Sequence, residues 1–423
     1  MVQIILFYIF ILLSLMNMFH FGFYLVGANY YDISKFRFSS RAKHKRRLNP
    51  IVAVLIPAHN EEKAIIRSIE SVLRSSYRKV VVIVIDDAST DSTRSLVRRY
   101  IKDHPNAKLK LMFKRKNVGK ASAMNYALKN GVQSDLVMTL DADSLIQKKT
   151  IANAVNYFDD PNVVGVAANV QVLDSYSILG LLQKFEYIIG YRSKKFFSVT
   201  NSEFIIGGVA STYRTDVLKK VGFYDSDIIT EDIALSLKIA NEGNKKFRLV
   251  YGVDVIAMTE GVQTFRALLR QRYRWKMGNL QSILKFSSLF GNTSGIYSKM
   301  LTLYRIPMAF FGEIILILAP FVFGYIIYYC VLIGNASIFI GSYLTITLYL
   351  LLNILPDEHI NWAKKLEMSI YAPIMYFIMY LMDLVQLVAI VRCMINYPKV
   401  FRRVKMLSTW KSPERQGQRF DLG

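Results

Sequence analysis

Cysteine is almost missing from this chain of 423 residues: Cys330 and Cys393 are the only two, and both lie in or at the edge of apolar segments. Their isolation excludes a paired zinc or redox motif and leaves them as packing residues. Acidic residues are also few, with 31 Asp and Glu against 54 Lys and Arg and a formal net charge of +23. Such an excess suits nucleic acid, anionic lipid or nucleotide phosphates alike. No nucleic-acid-binding motif is present, and the basic clusters adjoin apolar segments, so the lipid bilayer is the better partner and nucleic acid is not expected. The chain also lacks an internal repeat, a low-complexity linker and a second soluble domain.

Long apolar runs, by contrast, are abundant. Hydrophobic residues make up 52% of the chain and the mean hydropathy is +0.26, too apolar for an ordinary soluble protein. Val2 to Val26 contains no Lys, Arg, Asp or Glu and is long enough to cross the roughly 30 Å hydrocarbon core as a helix. A cleaved signal peptide fits less well, since no Lys or Arg precedes the run, the run is too long, and no small-x-small site closes it. Lys35, Arg37, Arg41, Lys43, Lys45, Arg46 and Arg47 follow, which by the positive-inside rule puts them and the next domain in the cytoplasm.

Three more apolar stretches, near Ile306 to Ile333, Ala336 to Leu355 and Met368 to Val391, can each span a membrane. Three crossings after a cytoplasmic domain put the tail outside, whereas Lys399, Arg402, Arg403 and Lys405 favour the inside. Either the first stretch, interrupted by Pro307 and Pro320, re-enters or lies at the interface, or the tail departs from the charge bias. The expected division is residues 1–28 as a first span, 29–49 as a basic juxtamembrane segment, 50–285 as the catalytic domain, 286–395 as an interfacial segment with about three spans, and 396–423 as a basic tail.

Val52 to Ile56 and Val80 to Ile85 are short β-branched runs without alternation, as in strands buried on both faces of a parallel sheet. Leu109 to Phe113, Leu136 to Leu140 and Val163 to Val172 read as further strands. Helical spacing over Glu61 to Leu73, Asp91 to Ile101 and Ala121 to Leu128 separates the first of them. Alternation of this kind predicts an α/β domain with its ligand site at the carboxyl ends of the strands. Pro57, Ala58, Asn60 and Glu62 end the first strand, Asp86 and Asp87 the second, and Asp141-Ala142-Asp143 the fourth.

Several of these residues have chemistry to offer. Asp86 and Asp87 are placed either to accept hydrogen bonds from a nucleotide base or ribose or to cap the next helix. Asn117-Val118-Gly119-Lys120 opens a helix, where a glycine turn and a lysine suit an anion. Asp141 and Asp143 are hard oxygen ligands spaced to share one Mg2+ or Mn2+, which would also engage a diphosphate. Thr230-Glu231-Asp232 begins a helical pattern, so capping and dipole complementarity compete or coexist with catalysis there. Gln271, Arg274 and Trp275 fall on one helix face by their spacing. Arg266, Arg270, Arg272 and Lys276 beside them suit lipid headgroups. Gly207 and Gly208 would let a ring approach the backbone. Glu313 and Asp383, inside apolar stretches, either line a path for a polar ligand or pair within the helix bundle.

The order Asp141-Ala142-Asp143, Thr230-Glu231-Asp232 and Gln271-Arg272-Tyr273-Arg274-Trp275, flanked by membrane-length segments, resembles the processive family-2 glycosyltransferases that make cellulose, chitin, hyaluronan and poly-N-acetylglucosamine. The resemblance covers roughly residues 50 to 285. It implies a GT-A fold, a nucleotide-sugar-binding variant of the doubly wound mixed α/β sheet. It assigns Asp232 as the general base, with Glu231 and Thr230 in the same motif. It also places Asn117, Lys120, Ala123 and Asn125 at the nucleotide site, Trp275 beneath the acceptor sugar, Gln271 and Arg274 at the acceptor end and leaving phosphates, and Gly207-Gly208 in the acceptor loop.

Asp227 to Asp232 with Leu235-Ser236, Gln183 with Glu186-Tyr187, and Trp410 to Arg415 look like the poly-β-1,6-N-acetylglucosamine synthases of that family. The implied reaction is inverting transfer from a UDP-sugar, UDP-N-acetylglucosamine above others, to a growing polysaccharide, with a small accessory membrane subunit as a further partner. The chain departs from the pattern in having one span before the catalytic domain where members often have two. Rival readings are a hyaluronan-, chitin- or cellulose-type synthase, a transferase adding one sugar to a lipid carrier, and a sugar-binding membrane scaffold.

Overall fold

A computed structural model describes residues 2–41, 49–173 and 177–396. The expected parallel core is present and sits where the apolar runs placed it. Strands β1 (Val52–Ala58), β2 (Val80–Asp87), β3 (Leu109–Lys114) and β4 (Leu136–Thr139) pair in parallel, with Val52 opposite both Val80 and Leu136. Val52, Val54, Leu55 and Ile56 are fully buried because helices cover both faces. Each such side chain contributes about 1.5–3 kcal/mol by leaving water. The crossovers are α2 (Ile65–Leu73), α3 (Thr93–Asp103) and α4 (Lys120–Asn130).

Beyond β4 the sheet becomes mixed, in the order β3-β2-β1-β4-β7-β6-β8-β5. The added strands are β5 (Leu145–Ile146), β6 (Val163–Val172), β7 (Ser211–Arg214) and β8 (Arg248–Thr259). Strand β7 runs antiparallel to both β4 and β6, so it turns the sheet and brings residues 203–208 over the end of β4. Helices α5 (Thr150–Tyr157), α6 (Ile178–Val199), α7 (Thr215–Lys220), α8 (Glu231–Asn241) and α9 (Phe265–Lys285) complete the domain.

Helix α1 runs unbroken from Val2 to Arg41. Its end is pinned to the domain, where Tyr31 donates to the Tyr251 carbonyl at 2.6 Å and Asp32 pairs with Lys195 at 2.7 Å. Among the described residues three helical segments are long and apolar enough to cross a membrane: Met300–Leu332, Ser337–Ile354 and Trp362–Ile395. The first comprises a π-helical turn, Met300–Arg305, and α10 (Ile306–Leu332); the others are α11 (Ser337–Ile354) and α12 (Trp362–Ile395). Pro320 lies inside α10, and Pro307 lies in its first turn directly after the π-helical turn, and the helical segment continues through both. The basic residues 43–47, the basic tail and the Trp410 to Arg415 segment lie outside the described residues.

Candidate functional site

The loops after β1 and β2 are knitted together before any ligand is considered. Asn60 accepts from the Thr90 amide at 2.8 Å, and Glu62 accepts from the Ser92 amide at 2.9 Å. Pro57 and Ala58 are buried in the last turn of β1. Asn60, Ala88 and Ala210 all have positive φ, between 51° and 60°. That conformation costs a non-glycine residue about 1–3 kcal/mol, and all three residues lie in loops around one cleft.

Asp86 and Asp87 divide the two roles open to them. Asp86 is fully buried, pairs with Arg94 at 2.5 Å and accepts from the Ser89 amide, so it shapes the turn. Asp87 accepts from the amides of Val118 and Gly119 at 3.1 and 2.8 Å, clamping the Asn117–Lys120 turn onto the end of β2. Burial holds its carboxyl above the usual range while those two amides oppose the shift. Asn117 closes the same turn by accepting from the Gly119 amide at 3.1 Å. Gly119 has φ of 86°, so the turn requires glycine.

The clamped turn delivers Lys120 into a ring of carboxylates. Its Nζ lies 2.5 Å from Asp141 and 3.3 Å from Glu231. Burial disfavours the ammonium, but Asp141, Glu231 and Asp232 outweigh it and hold Lys120 above its ordinary value. Asp143 is buried behind Asp141 and accepts from the Ser144 hydroxyl at 3.0 Å. No group of three or more His, Cys, Asp or Glu is arranged as a metal site among the described residues. Asp141 and Asp143 follow the end of β4, and a pair of hard oxygen ligands is of the kind that suits an Mg2+- or Mn2+-type ion completing its shell with waters and phosphates.

Asp232 sits in the first turn of α8, across from Asp141. Burial first, and then the neighbouring Glu231 charge, push its carboxyl up to about 6, against the pull of Lys120. Such a group is ionised at neutral pH yet basic enough to accept a proton. Thr230 precedes the helix, but its hydroxyl makes no capping bond; it is buried against α9 instead.

The loop that carries Gly207 and Gly208, here residues 203–208, is built from backbone held by side chains. Glu203 accepts from the amides of Phe204 and Ile205, and Lys194 donates to the Ile205 carbonyl. Ser236 accepts from the Ile206 amide, while Thr139 donates to the Gly208 carbonyl at 2.8 Å. A Cβ on Gly208 would stand 2.8 Å from Lys120 Nζ and 3.5 Å from Asp232 Oδ2, so the loop borders the carboxylate ring directly. Gly207 is nearby, with open space where a side chain would be.

Helix α9 carries Gln271, Arg274 and Trp275. Gln271 and Trp275 are half-buried and Arg274 is exposed. The lipid-facing expectation for Arg272 and Lys276 is corrected. Arg272 is buried, bonded to Glu186 of α6 at 2.6 Å, with its guanidinium 4.2 Å from the Trp275 ring centroid. Lys276 pairs with Glu313 of α10 at 2.8 Å, so Glu313 is an ion-pair partner within the helices. Lys194 and Glu203 hold the loop beside the carboxylate ring, and sequence reasoning missed both because each is defined by a tertiary contact.

Carboxylates at two strand ends, with Lys120 among them, stand on a sheet that is parallel over β1 to β4 and mixed beyond, the architecture of the GT-A fold. A sequence profile described as glycosyltransferase like family 2 matches residues 49–278, and the chain belongs to that family. It is 29% identical over 271 residues to poly-beta-1,6-N-acetyl-D-glucosamine synthase of Staphylococcus aureus (strain COL), covering 62% of this chain and 63% of that protein. The Staphylococcus epidermidis protein of the same name is 30% identical over the same coverage. The match thus spans about 63% of the length of these curated relatives. In fold the chain resembles the mannosyltransferase PcManGT from Pyrobaculum calidifontis, solved with GDP-Man and Mn2+. That likeness has a TM-score of 0.53 and 23% identity, and covers 82% of this chain and 98% of that one.

Proposed function

We propose that this chain is a membrane-embedded, inverting glycosyltransferase that extends a β-linked polysaccharide from a UDP-sugar, with UDP-N-acetylglucosamine the donor and poly-β-1,6-N-acetylglucosamine the product. The observation that carries this reading is the adjacency of Asp232, with its raised carboxyl, to the Lys120–Asp141 pair and the Gly207-Gly208 loop. The name of the staphylococcal relatives supports the donor and product.

In this reading Asp232 takes the proton of an acceptor hydroxyl as its oxygen attacks the anomeric carbon from the face opposite UDP. The new glycosidic bond forms as the bond to the diphosphate oxygen breaks, and UDP leaves with the electron pair. Asp141 and Asp143 would hold a divalent ion, Mg2+ or Mn2+, whose chemistry here is to neutralise charge on the departing diphosphate. Lys120 adds a fixed positive charge at the same corner, and it keeps Asp232 from rising further. The Asp87-clamped turn would present backbone and Asn117 to the nucleotide. Trp275, held under Arg272, would stack on the acceptor, with Gln271 and Arg274 reaching its end. The domain would face the cytoplasm, with α10 to α12 in the bilayer.

The test is UDP release by full-length protein in lipid vesicles with Mg2+ or Mn2+, offering UDP-N-acetylglucosamine, UDP-glucose and UDP-glucuronate in parallel, alongside product sizing. Release from the first donor with a high-mass product supports the reading. Use of another donor overturns the polymer assignment. A single glycolipid product overturns polymerisation, and no release from any donor overturns the whole.

A further inference from the structure

Helix α9 touches the catalytic motif at a point that none of the roles above uses. Gly278 is buried three residues beyond Trp275, with its missing side chain aimed at Thr230. A Cβ there would lie 2.1 Å from Thr230 Oγ1, 2.5 Å from Cγ2 and 2.7 Å from Cβ. The atoms it would strike are close to the backbone, so no flexible side chain could swing aside. Two neighbours reinforce the contact. Gln281, one turn further along, accepts from the Ile229 amide at 3.3 Å, and Met277 packs on Ile229 in a small cluster with Tyr273.

Helix α9 therefore grips residues 229 and 230, the two that immediately precede Glu231 and Asp232. The Thr230 hydroxyl makes no hydrogen bond in this contact, so what fixes the spacing is the close steric approach that glycine allows. Resting on the function proposed above, we propose that Gly278 is a positioning residue. It sets the distance between the helix that carries the acceptor-stacking Trp275 and the carboxylate that deprotonates the acceptor. Ordinary helix packing explains a small residue at a crossing; it does not require the crossing to fall on the motif that carries the base.

A methyl group at 278 must push the two helices apart by an appreciable fraction of an ångström. The donor side, built on β1, β2 and β4, meets that displacement through Lys120, whose ammonium faces Glu231, while its own turns are held by backbone amides. The expected signature is a split: nucleotide binding survives while transfer is lost.

The experiment uses full-length Gly278→Ala in lipid vesicles, beside wild type and Gln281→Leu. It measures UDP affinity, donor KM, hydrolysis of UDP-N-acetylglucosamine to water, and kcat for polymer formation. Expected for Gly278→Ala are UDP affinity and donor KM within about twofold of wild type, hydrolysis retained, and polymer kcat lower by roughly 30- to 100-fold, the scale of a misplacement near 1 Å. Gln281→Leu should show the same split, smaller. In the Thr230→Gly background Gly278→Ala should cost at least about fivefold less than in wild type, because the clash is gone.

Polymer formation within about threefold of wild type in Gly278→Ala, or multiplicative losses in the double mutant, overturns the proposal. If Gly278→Ala loses UDP binding as well, a Gln281→Leu variant with no split overturns it instead. An active wild type with unaffected variants sinks only this inference, whereas an inactive wild type sinks the function on which it rests.

Discussion

The two sides of the cleft are held by different kinds of bond. On the donor side, carboxylates at the ends of parallel strands are fixed by backbone amides and short ion pairs, as in Asp87 with Val118 and Gly119 and Asp86 with Arg94. On the side that the proposed function gives to the acceptor, the groups stand on α6, α8 and α9 and in the 203–208 loop, and are fixed through side chains, by the Arg272–Glu186 pair, by bonds to the loop backbone and by packing between helices. Helix α9 in turn packs along α12 and reaches α10 through Lys276 and Glu313. A backbone-held site is insensitive to small shifts elsewhere. A site held by interhelical packing inherits every change in the apolar helices behind it. Donor binding and sugar transfer should therefore be separable by mutation, and the membrane environment should act on the second far more than on the first.

Asp232→Asn should give the largest effect. Loss of a general base lowers kcat by about 10²- to 10⁴-fold, whereas UDP affinity, set on the donor side, should hold; a loss under tenfold would remove Asp232 from that role. The same change carries a stability signature of opposite sign. The Asp232 carboxyl is raised to about 6, above the ordinary carboxylate range, so stability falls as pH rises from about 4 and the whole cost of its charge is present above about 6. Below pH of about 4 both states are protonated and the cost vanishes. Asp232→Asn should thus unfold at higher temperature than wild type at pH 8, by an amount worth up to about 3 kcal/mol, and match it at pH 4. For wild type, kcat should rise with pH through about 6, because only the ionised carboxylate accepts the proton.

Lys120→Met should come next, with kcat at pH 7 lower by about 10-fold or more. It probes a charged bridge between the halves, since Lys120 starts on the donor-side turn yet faces Glu231 and Asp232. Lys120 pulls the Asp232 carboxyl down, so removing it should move the midpoint of the pH–rate profile upward. An unmoved midpoint would mean that the two halves are electrostatically independent. Asp87→Asn should be milder and confined to the donor side. Losing the charged acceptor for the two turn amides should raise donor KM by about tenfold, with little change in the pH profile.

The same asymmetry governs how much could be read from sequence. Strands β1, β2 and β4 were legible because burial on both faces leaves a short, nearly unbroken apolar run, and the strand-end rule then placed Asp87 and Asp141. Helix starts were less legible: α2 begins at Ile65 and α3 at Thr93, later than the apolar spacing implies, because the residues ahead of them are spent on knitting the two loops. Strand β7 has only four residues, and β8 changes register against β6 near Ala168, so neither carries a pattern. The motif residues of α8 and α9 were visible as motifs, but their mutual contact was not. Nothing in the local sequence of Gly278 announces that Thr230 will lie against it. The acceptor-loop anchors Lys194 and Glu203 were hidden for the same reason, their partners being backbone groups of a segment without regular structure.

Arg272 tests the acceptor side at its finest grain. Spacing alone put a helix under Gln271 and Trp275, but Arg272 looked like one more surface cation. It is instead buried, spanning from Glu186 to the face of Trp275. A lysine in its place could keep the ion pair with Glu186, since the charge remains and the stem is long enough. It could not keep a planar guanidinium over the indole, and an ammonium lacks the fork that fixes its direction. Arg272→Lys should therefore leave the fold, UDP affinity and donor KM near wild type. The lost stacking is worth about 0.5–2 kcal/mol, which should appear as a rise of about twofold to thirtyfold in acceptor KM and shorter products. Arg272→Ala differs in kind, because it leaves the Glu186 carboxylate without its partner and should cost about 3–5 kcal/mol of stability. If Arg272→Lys raised donor KM instead, Trp275 would belong to the donor side, and the division between a backbone-held half and a packing-held half would fail at the residue on which it depends most.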